Sequence, residues 1–122
     1  MLEKRRVLVV EDEPALSGII TTMLEVFGFE GMIAENAETA KKLLQEEQFN
    51  FLILDLTLPD LPGLELYKEI IGRYSQYKGQ VIFTSGFNAS EELETIMEND
   101  GADFLPKPFT IEKFQKIVSK WN

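Results

Sequence analysis

The chain has no cysteine and no histidine. Without cysteine there is no disulfide framework, and nothing ties the protein to an oxidising or a reducing environment. Without histidine the commonest general base and metal ligand is missing, so any chemistry must use carboxylates, hydroxyls and lysine. Long apolar runs are also lacking. No stretch approaches the ~18–20 residues needed to cross a bilayer, and no basic start followed by an apolar segment reads as a signal peptide. The expectation that follows is a cytoplasmic protein. Positive charge is scarce: 12 lysines and arginines face 21 acids, for a formal net charge of -9. That balance repels nucleic acid and anionic lipid, which argues against direct binding to DNA, RNA or a membrane surface.

What is present alternates regularly. At 122 residues, with 44% apolar and 27% charged residues, the chain has the size and composition of one globular domain with a real core. Arg6-Val7-Leu8-Val9-Val10 reads as a buried first strand, followed by Glu11-Asp12-Glu13 and by Pro14 in the first turn of a helix. Leu16, Ile19, Ile20, Met23, Leu24 and Phe27 recur at helical spacing, and Gly28 stops that helix. Gly31-Met32-Ile33-Ala34 is a short second strand, and Asn36 caps a helix carrying Ala37, Ala40, Leu43 and Leu44. The third strand, Phe51-Leu52-Ile53-Leu54-Asp55, is a continuous apolar run ending on a carboxylate, the pattern of a strand buried on both faces. Leu64, Tyr67, Ile71 and Tyr74 mark a third helix, and Val81-Ile82-Phe83-Thr84 a fourth strand that ends at Ser85-Gly86. A fourth helix from about Asn88 carries Ala89, Leu93, Ile96 and Met97, with Asn99-Asp100-Gly101 as the turn after it. Ala102-Asp103-Phe104-Leu105 is a fifth strand stopped by Pro106-Lys107-Pro108, and Thr110 caps a last helix with Ile111, Phe114, Ile117, Val118 and Trp121 inward. Five strands alternating with five helices predict an α/β fold with a doubly wound parallel sheet, residues 1–122 forming one domain.

Parallel strands end on one edge, and ligands collect just beyond it. The first strand delivers Glu11 and Asp12 there, the third Asp55, the fourth Ser85 and the fifth Lys107. The second delivers nothing comparable, as suits an edge strand away from the site. Each residue alone has a bland reading: acids at a helix start, a strand-end cap, a solvated loop lysine. Together they are chemically complementary. Three carboxylates repel one another unless a cation shares the space, and an oxygen-only donor set suits Mg2+. Lys107 is a point charge for a phosphoryl oxygen, Ser85 offers a hydroxyl, and Gly86 leaves room for a tetrahedral group. The set describes a site at which Asp55 attacks phosphorus as a nucleophile.

The same residues resemble a known family. Val7-Leu8-Val9-Val10-Glu11-Asp12-Glu13-Pro14 resembles the acidic first-strand motif of the receiver domain of bacterial two-component response regulators. Leu54-Asp55-Leu56-Thr57-Leu58-Pro59-Asp60-Leu61-Pro62-Gly63 resembles the phosphoacceptor motif, Ser85-Gly86 the hydroxyl-plus-small pair, and Phe104-Leu105-Pro106-Lys107-Pro108-Phe109 the lysine motif. The intervals agree, with 30 residues from Asp55 to Ser85 and 52 from Asp55 to Lys107, and the resemblance runs end to end. It implies the receiver version of the flavodoxin-like fold, with strand order 2-1-3-4-5, a single receiver domain over 1–122 and no output domain. It implies a signalling module rather than an enzyme, with limited self-phosphorylation from small phosphodonors and limited self-dephosphorylation. Asp55 would take a phosphoryl group from the phosphohistidine of a sensor histidine kinase or a histidine phosphotransfer protein. Asp12 would ligate Mg2+ directly, Glu11 through a water or as a second ligand, and the Thr57 backbone carbonyl would complete the metal site with Asp55. Lys107 and Ser85 would hold the phosphoryl oxygens. Ser85 and Phe104 would form the switch that changes the surface of the fourth helix, fifth strand and fifth helix. A downstream output domain or protein would read that surface, with a homodimer on phosphorylation as one outcome. The Lys107–Pro108 bond would be cis.

The sequence departs from the family pattern at Glu11, where many members carry Asp, and at Asp100, where glycine is usual and Gly101 follows one place later. Thr57 and Phe87 occupy two variable positions. An aromatic Phe87 would shield an acyl phosphate and slow its loss. Two other classes share parts of the pattern. A flavodoxin-like binding module needs a phosphate-cradling loop after the first strand, and Glu11-Asp12-Glu13 would repel a phosphate there. A haloacid-dehalogenase-type phosphatase places its aspartyl motif after the first strand with a second acid two residues on, whereas Asp55 lies on the third with Thr57 at that place. The wording around Ser85 and Lys107 also resembles receivers attached to hybrid sensor kinases, so the chain is read either as a stand-alone regulator or as a receiver from a larger protein.

Overall fold

A computed structural model describes residues 3–121. Strand β1 (Arg5–Val10) leads into helix α1 (Pro14–Val26), then β2 (Phe29–Ala34), α2 (Ala37–Glu46), β3 (Phe51–Asp55), α3 (Gly63–Arg73), β4 (Val81–Ser85), α4 (Glu91–Asp100), β5 (Asp103–Pro106) and α5 (Ile111–Val118). The strands form one parallel sheet in the order β2-β1-β3-β4-β5, as expected. The chain leaves β1 in one direction to build β2 and in the other to build β3, β4 and β5. The crevice where a doubly wound sheet binds ligands therefore lies between the ends of β1 and β3.

Alternation along each strand splits the core in two. Val7, Val9, Phe51, Ile53, Ile82 and Leu105 face α1 and α5, packing with Ile20, Leu24, Phe114 and Val118. Leu8, Val10, Leu52, Leu54, Val81 and Phe83 face α2, α3 and α4, packing with Ala40, Leu44, Leu66, Tyr67, Ile70 and Leu93. All five residues of β3 are buried, which is why that strand is apolar at every position before Asp55. Truncating any one of its leucines to alanine costs about 2–5 kcal/mol by the usual cavity cost.

Several boundaries and faces differ from the sequence-based expectation. Strand β2 begins at Phe29, because Phe29 is 1% exposed and packs edge-on against Phe51 and Trp121. Helix α3 buries Leu66, Tyr67 and Ile70, while Leu64, Ile71 and Tyr74 are only partly covered. Helix α4 starts at Glu91, since the Ser90 hydroxyl accepts the Leu93 N–H and fixes the cap there, leaving Asn88 and Ala89 in the loop. Asn99 and Asp100 belong to α4, and Gly101 at φ +80° ends it in the left-handed conformation glycine favours. Ile19 and Ile111 are more than half exposed, so neither is core. Two short 3-10 turns, Ser75–Tyr77 and Ser119–Trp121, were not foreseen, and the second stacks Trp121 on Phe51 with ring centroids 4.2 Å apart. Among the described residues no helix is long and apolar enough to cross a membrane.

Candidate functional site

The rows of side chains facing α1 and α5 continue past the strand ends into charged groups. Two residues beyond Val9 stands Glu11, two beyond Ile53 is Asp55, and two beyond Leu105 is Lys107. Residues that alternate onto one face of neighbouring strands meet at its edge, so the fold itself brings these three together. The Glu11 N–H extends the β1–β2 ladder by donating to the Ala34 carbonyl at 3.0 Å, which keeps Glu11 in the strand's frame.

Glu11 and Asp55 are 2% and 4% exposed, and Lys107 bridges them. Its Nζ donates to Glu11 Oε1 at 2.8 Å and to Asp55 Oδ2 at 2.9 Å. The second oxygen of each acid is also held: Glu11 Oε2 accepts the Glu13 N–H at 3.1 Å, and Asp55 Oδ1 accepts the Thr57 N–H at 2.9 Å. Asp12 is exposed at the mouth, and carboxylate oxygens of Glu11, Asp12 and Asp55 lie within 4.8 Å of one another. Burial pushes the Glu11 carboxyl above its usual 4.5, with the Asp55 charge adding to the rise, while the bonds from Lys107 and the Glu13 N–H oppose it. Burial pulls the Lys107 ammonium down, but its bonds to Glu11 and Asp55 and their two charges outweigh that, and its pKa stands above 10.5.

Ser85, 3% exposed, ends the neighbouring strand β4, whose Thr84 pairs with Asp55. Its carbonyl accepts the Lys107 N–H at 2.8 Å, which helps seat the lysine, and its hydroxyl accepts the Phe87 N–H at 3.0 Å. A side chain at Gly86 would meet open space, and Phe87 is 74% exposed beside it. The Lys107–Pro108 peptide is cis, as the resemblance implied. Phe104 lies apart from these groups, pairing with Phe83 across β4 and β5 and packing half-buried on the α2/α3/α4 side of the sheet. Glu11, Asp12, Asp55 and Lys107 lie together at one sheet edge, as the parallel strands lead one to expect, whereas the tight closure of the loop after Asp55 is not apparent from the sequence. A Cβ on Gly63 would sit 2.3 Å from the Asp55 carbonyl oxygen, and the Gly63 N–H donates to the Leu56 carbonyl at 2.9 Å. The signal available was Gly63 itself, following two prolines that restrict the same loop.

The donor set fits Mg2+. It is all oxygen, and three carboxylates against one ammonium leave two negative charges uncompensated, matching a hard divalent cation. Beside the site runs a groove of about 890 Å³ whose walls include Leu16, Ile19, Met23, Lys107 and Phe109.

The family model described as "Response regulator receiver domain" matches residues 7–119. Among curated proteins, the chain is 30% identical over 121 residues to the probable C4-dicarboxylate response regulator DctR of Bacillus subtilis, covering 96% of this chain and 52% of that one. Curated relatives also include sensor histidine kinases and transcriptional regulators. The chain spans about half the length of the first curated relatives it matches. Among solved structures, a CheY-like response regulator receiver domain protein from Methanospirillum hungatei superposes with a TM-score of 0.84 at 28% identity, covering 98% of this chain and 94% of that one. The response regulator TrrA from Thermotoga maritima, solved in complex with Mg2+ and BeF, gives 0.82 at 26% identity over 97% and 99% of the two chains. Family match and fold likeness span the stretch that carries all five strands and the acid–lysine cluster, and the chain belongs to the response regulator receiver domains.

Proposed function

We propose that residues 1–122 form one receiver domain of a phosphorelay, with Asp55 as the phosphoacceptor. The observation that carries this reading is the Lys107 ammonium shared between buried Glu11 and Asp55, with Asp12 exposed beside them. An Asp55 carboxylate oxygen attacks phosphorus, the bond from phosphorus to the donor imidazole nitrogen breaks, and that nitrogen keeps the electron pair. Lys107 then exchanges its carboxylate partner for a phosphoryl oxygen, and the Ser85 hydroxyl turns from the Phe87 N–H to another. Glu11, Asp12, Asp55 and the Thr57 carbonyl hold Mg2+. Bound there, Mg2+ supplies positive charge against the phosphoryl oxygens and the clustered acids. The donor is a phosphohistidine on a sensor histidine kinase or phosphotransfer protein, and the apolar groove along α1 and Phe109, which borders Lys107, is the face proposed to receive it.

The new charge on Asp55 shifts the population of conformers in which Ser85 has moved and Phe104 has rotated, altering the face made by α4, β5 and α5. An output domain or a separate protein reads that face, in the cytoplasm, either through a homodimer or directly. Exposed Phe87 covers the acyl phosphate and slows its hydrolysis.

The test is phosphorylation of the protein by acetyl phosphate, followed by intact mass, with Mg2+ and with Mg2+ chelated. One phosphoryl group is added with Mg2+ and essentially none without it, and the adduct outlasts a timescale of seconds once donor is removed. Equal labelling in the chelated sample would contradict the assigned metal site. Continuous turnover of a phosphate ester would favour a phosphatase instead.

A further inference from the structure

The N-terminus of α2 is held from outside. Its first N–H groups, on Ala37, Glu38 and Thr39, have no partner within the helix. The Thr39 N–H donates to the cap residue, Asn36 Oδ1, at 2.8 Å. The other two reach across the molecule: Ala37 N–H donates to Asp60 Oδ1 at 2.9 Å and Glu38 N–H to Asp60 Oδ2 at 3.0 Å. Asp60 thus places one carboxylate on the positive end of the helix with both oxygens engaged. Those two N–H bonds hold its carboxyl below the usual 3.8, so at neutral pH both oxygens remain acceptors.

Asp60 stands in the middle of the loop that joins Asp55 to α3. The base of that loop is closed by Gly63 N–H on the Leu56 carbonyl and by Thr57 N–H on Asp55 Oδ1. Leu58 and Leu61 pack its flanks against the core below α2 and α3. The tip, Pro59 and Asp60, is exposed, and the bond pair to α2 fixes it. The loop therefore spans two anchors, one on the phosphoacceptor and one on α2, with Thr57 between them.

We propose that Asp60 is a positioning residue for the metal side of the site: its clamp on α2 holds the 56–62 loop so that the Thr57 carbonyl is presented to the cation. This inference rests on the functional reading above. It separates two roles that a helix cap usually merges, stabilising α2 and placing a ligand. Asn36 performs only the first, since its bond stays within α2, and it serves as the internal control.

The experiment is an Mg2+ titration of the isotope-labelled protein, followed through the backbone amide resonances of Asp12, Asp55 and Thr57. Native protein, Asp60→Ala, Asp60→Asn and Asn36→Ala are compared, with thermal unfolding measured on each. Asp60→Ala is expected to bind Mg2+ more weakly, by up to about tenfold, since Asp60 acts on the site through the loop and not by a bond to a ligand, and a direct outer partner is worth that much or more. Asn36→Ala is expected to unfold at a lower temperature and to bind Mg2+ as native. Asp60→Asn keeps one acceptor and turns an amide donor onto the other N–H, so its affinity falls between the two. Should Asp60→Ala not fold, Asp60→Asn alone decides. Native affinity in a folded Asp60 variant, or equal weakening in Asn36→Ala, overturns the positioning role while leaving the functional reading intact. Failure of the native protein to bind Mg2+ at these amides would instead overturn the functional reading.

Discussion

Lys107 holds two buried carboxylates on a single ammonium, and its removal isolates both. Lys107→Met keeps most of the side chain's volume while deleting the charge. Breaking a buried pair from one side costs about 3–5 kcal/mol, and the lysine's 19% exposure places the loss near the lower figure. Urea unfolding should therefore give a loss of about 3 kcal/mol without added metal. Mg2+ should raise the unfolding temperature of Lys107→Met more than that of the native protein, because the variant leaves more uncompensated negative charge. An equal rise in both would mean that the acids and the lysine do not share one electrostatic site. Glu11 fits the same logic. Its longer side chain reaches Lys107 from a strand end where many family members carry Asp, and its second oxygen is used by the Glu13 N–H.

At the scale of elements, Tyr67 and Asp100 show what one substitution in a familiar pattern does. Tyr67 on α3 is fully buried, and its hydroxyl donates to Asp100 Oδ2 at the end of α4 at 2.7 Å. Asp100 stands where the family usually has glycine; α4 runs on through it, and Gly101 takes over the positive φ that ends the helix. Burial, then the bond to Asp100 and its charge, push the Tyr67 phenol well above its ordinary 10.0. Below pH 10 both folded and unfolded chains keep that proton. As pH rises past 10 the unfolded chain releases it first, so stability falls with pH until the folded-state value is passed. Tyr67→Phe should remove that part of the alkaline slope in pH-dependent unfolding and cost about 2 kcal/mol at neutral pH. An unchanged slope would mean that the hydroxyl is not protected. The elements themselves were legible where one local signal dominated: the apolar run before Asp55, the Asn36 and Thr110 caps, the glycine stops. They were misread where two signals competed, as at Asn88 against Ser90, or where burial came from distant partners, as for Phe29 under Trp121. The charged edge was legible because strand ends of a parallel sheet must converge. The Asp60 clamp was not, because nothing local in the sequence pairs residue 60 with residues 37 and 38.

For the whole molecule, the sheet turns a two-sided apolar core into a one-sided reactive edge. The buried strands fix Asp55 and Glu11 from below, α1 and α5 wall the side on which Lys107 enters, and Asp12, Thr57, Gly86 and Phe87 open to solvent. Because all of β3 is buried, Asp55 is held rigidly, and under the proposed reading its neighbours, Ser85 and the loops, carry any change outward. The account rests on Asp55 being the group that is phosphorylated. The direct measurement is the intact mass of native protein and of Asp55→Asn after incubation with acetyl phosphate and Mg2+. The account predicts one added phosphoryl group on the native protein and none on Asp55→Asn, with both folded by circular dichroism. A phosphoryl adduct that persists on Asp55→Asn would contradict it.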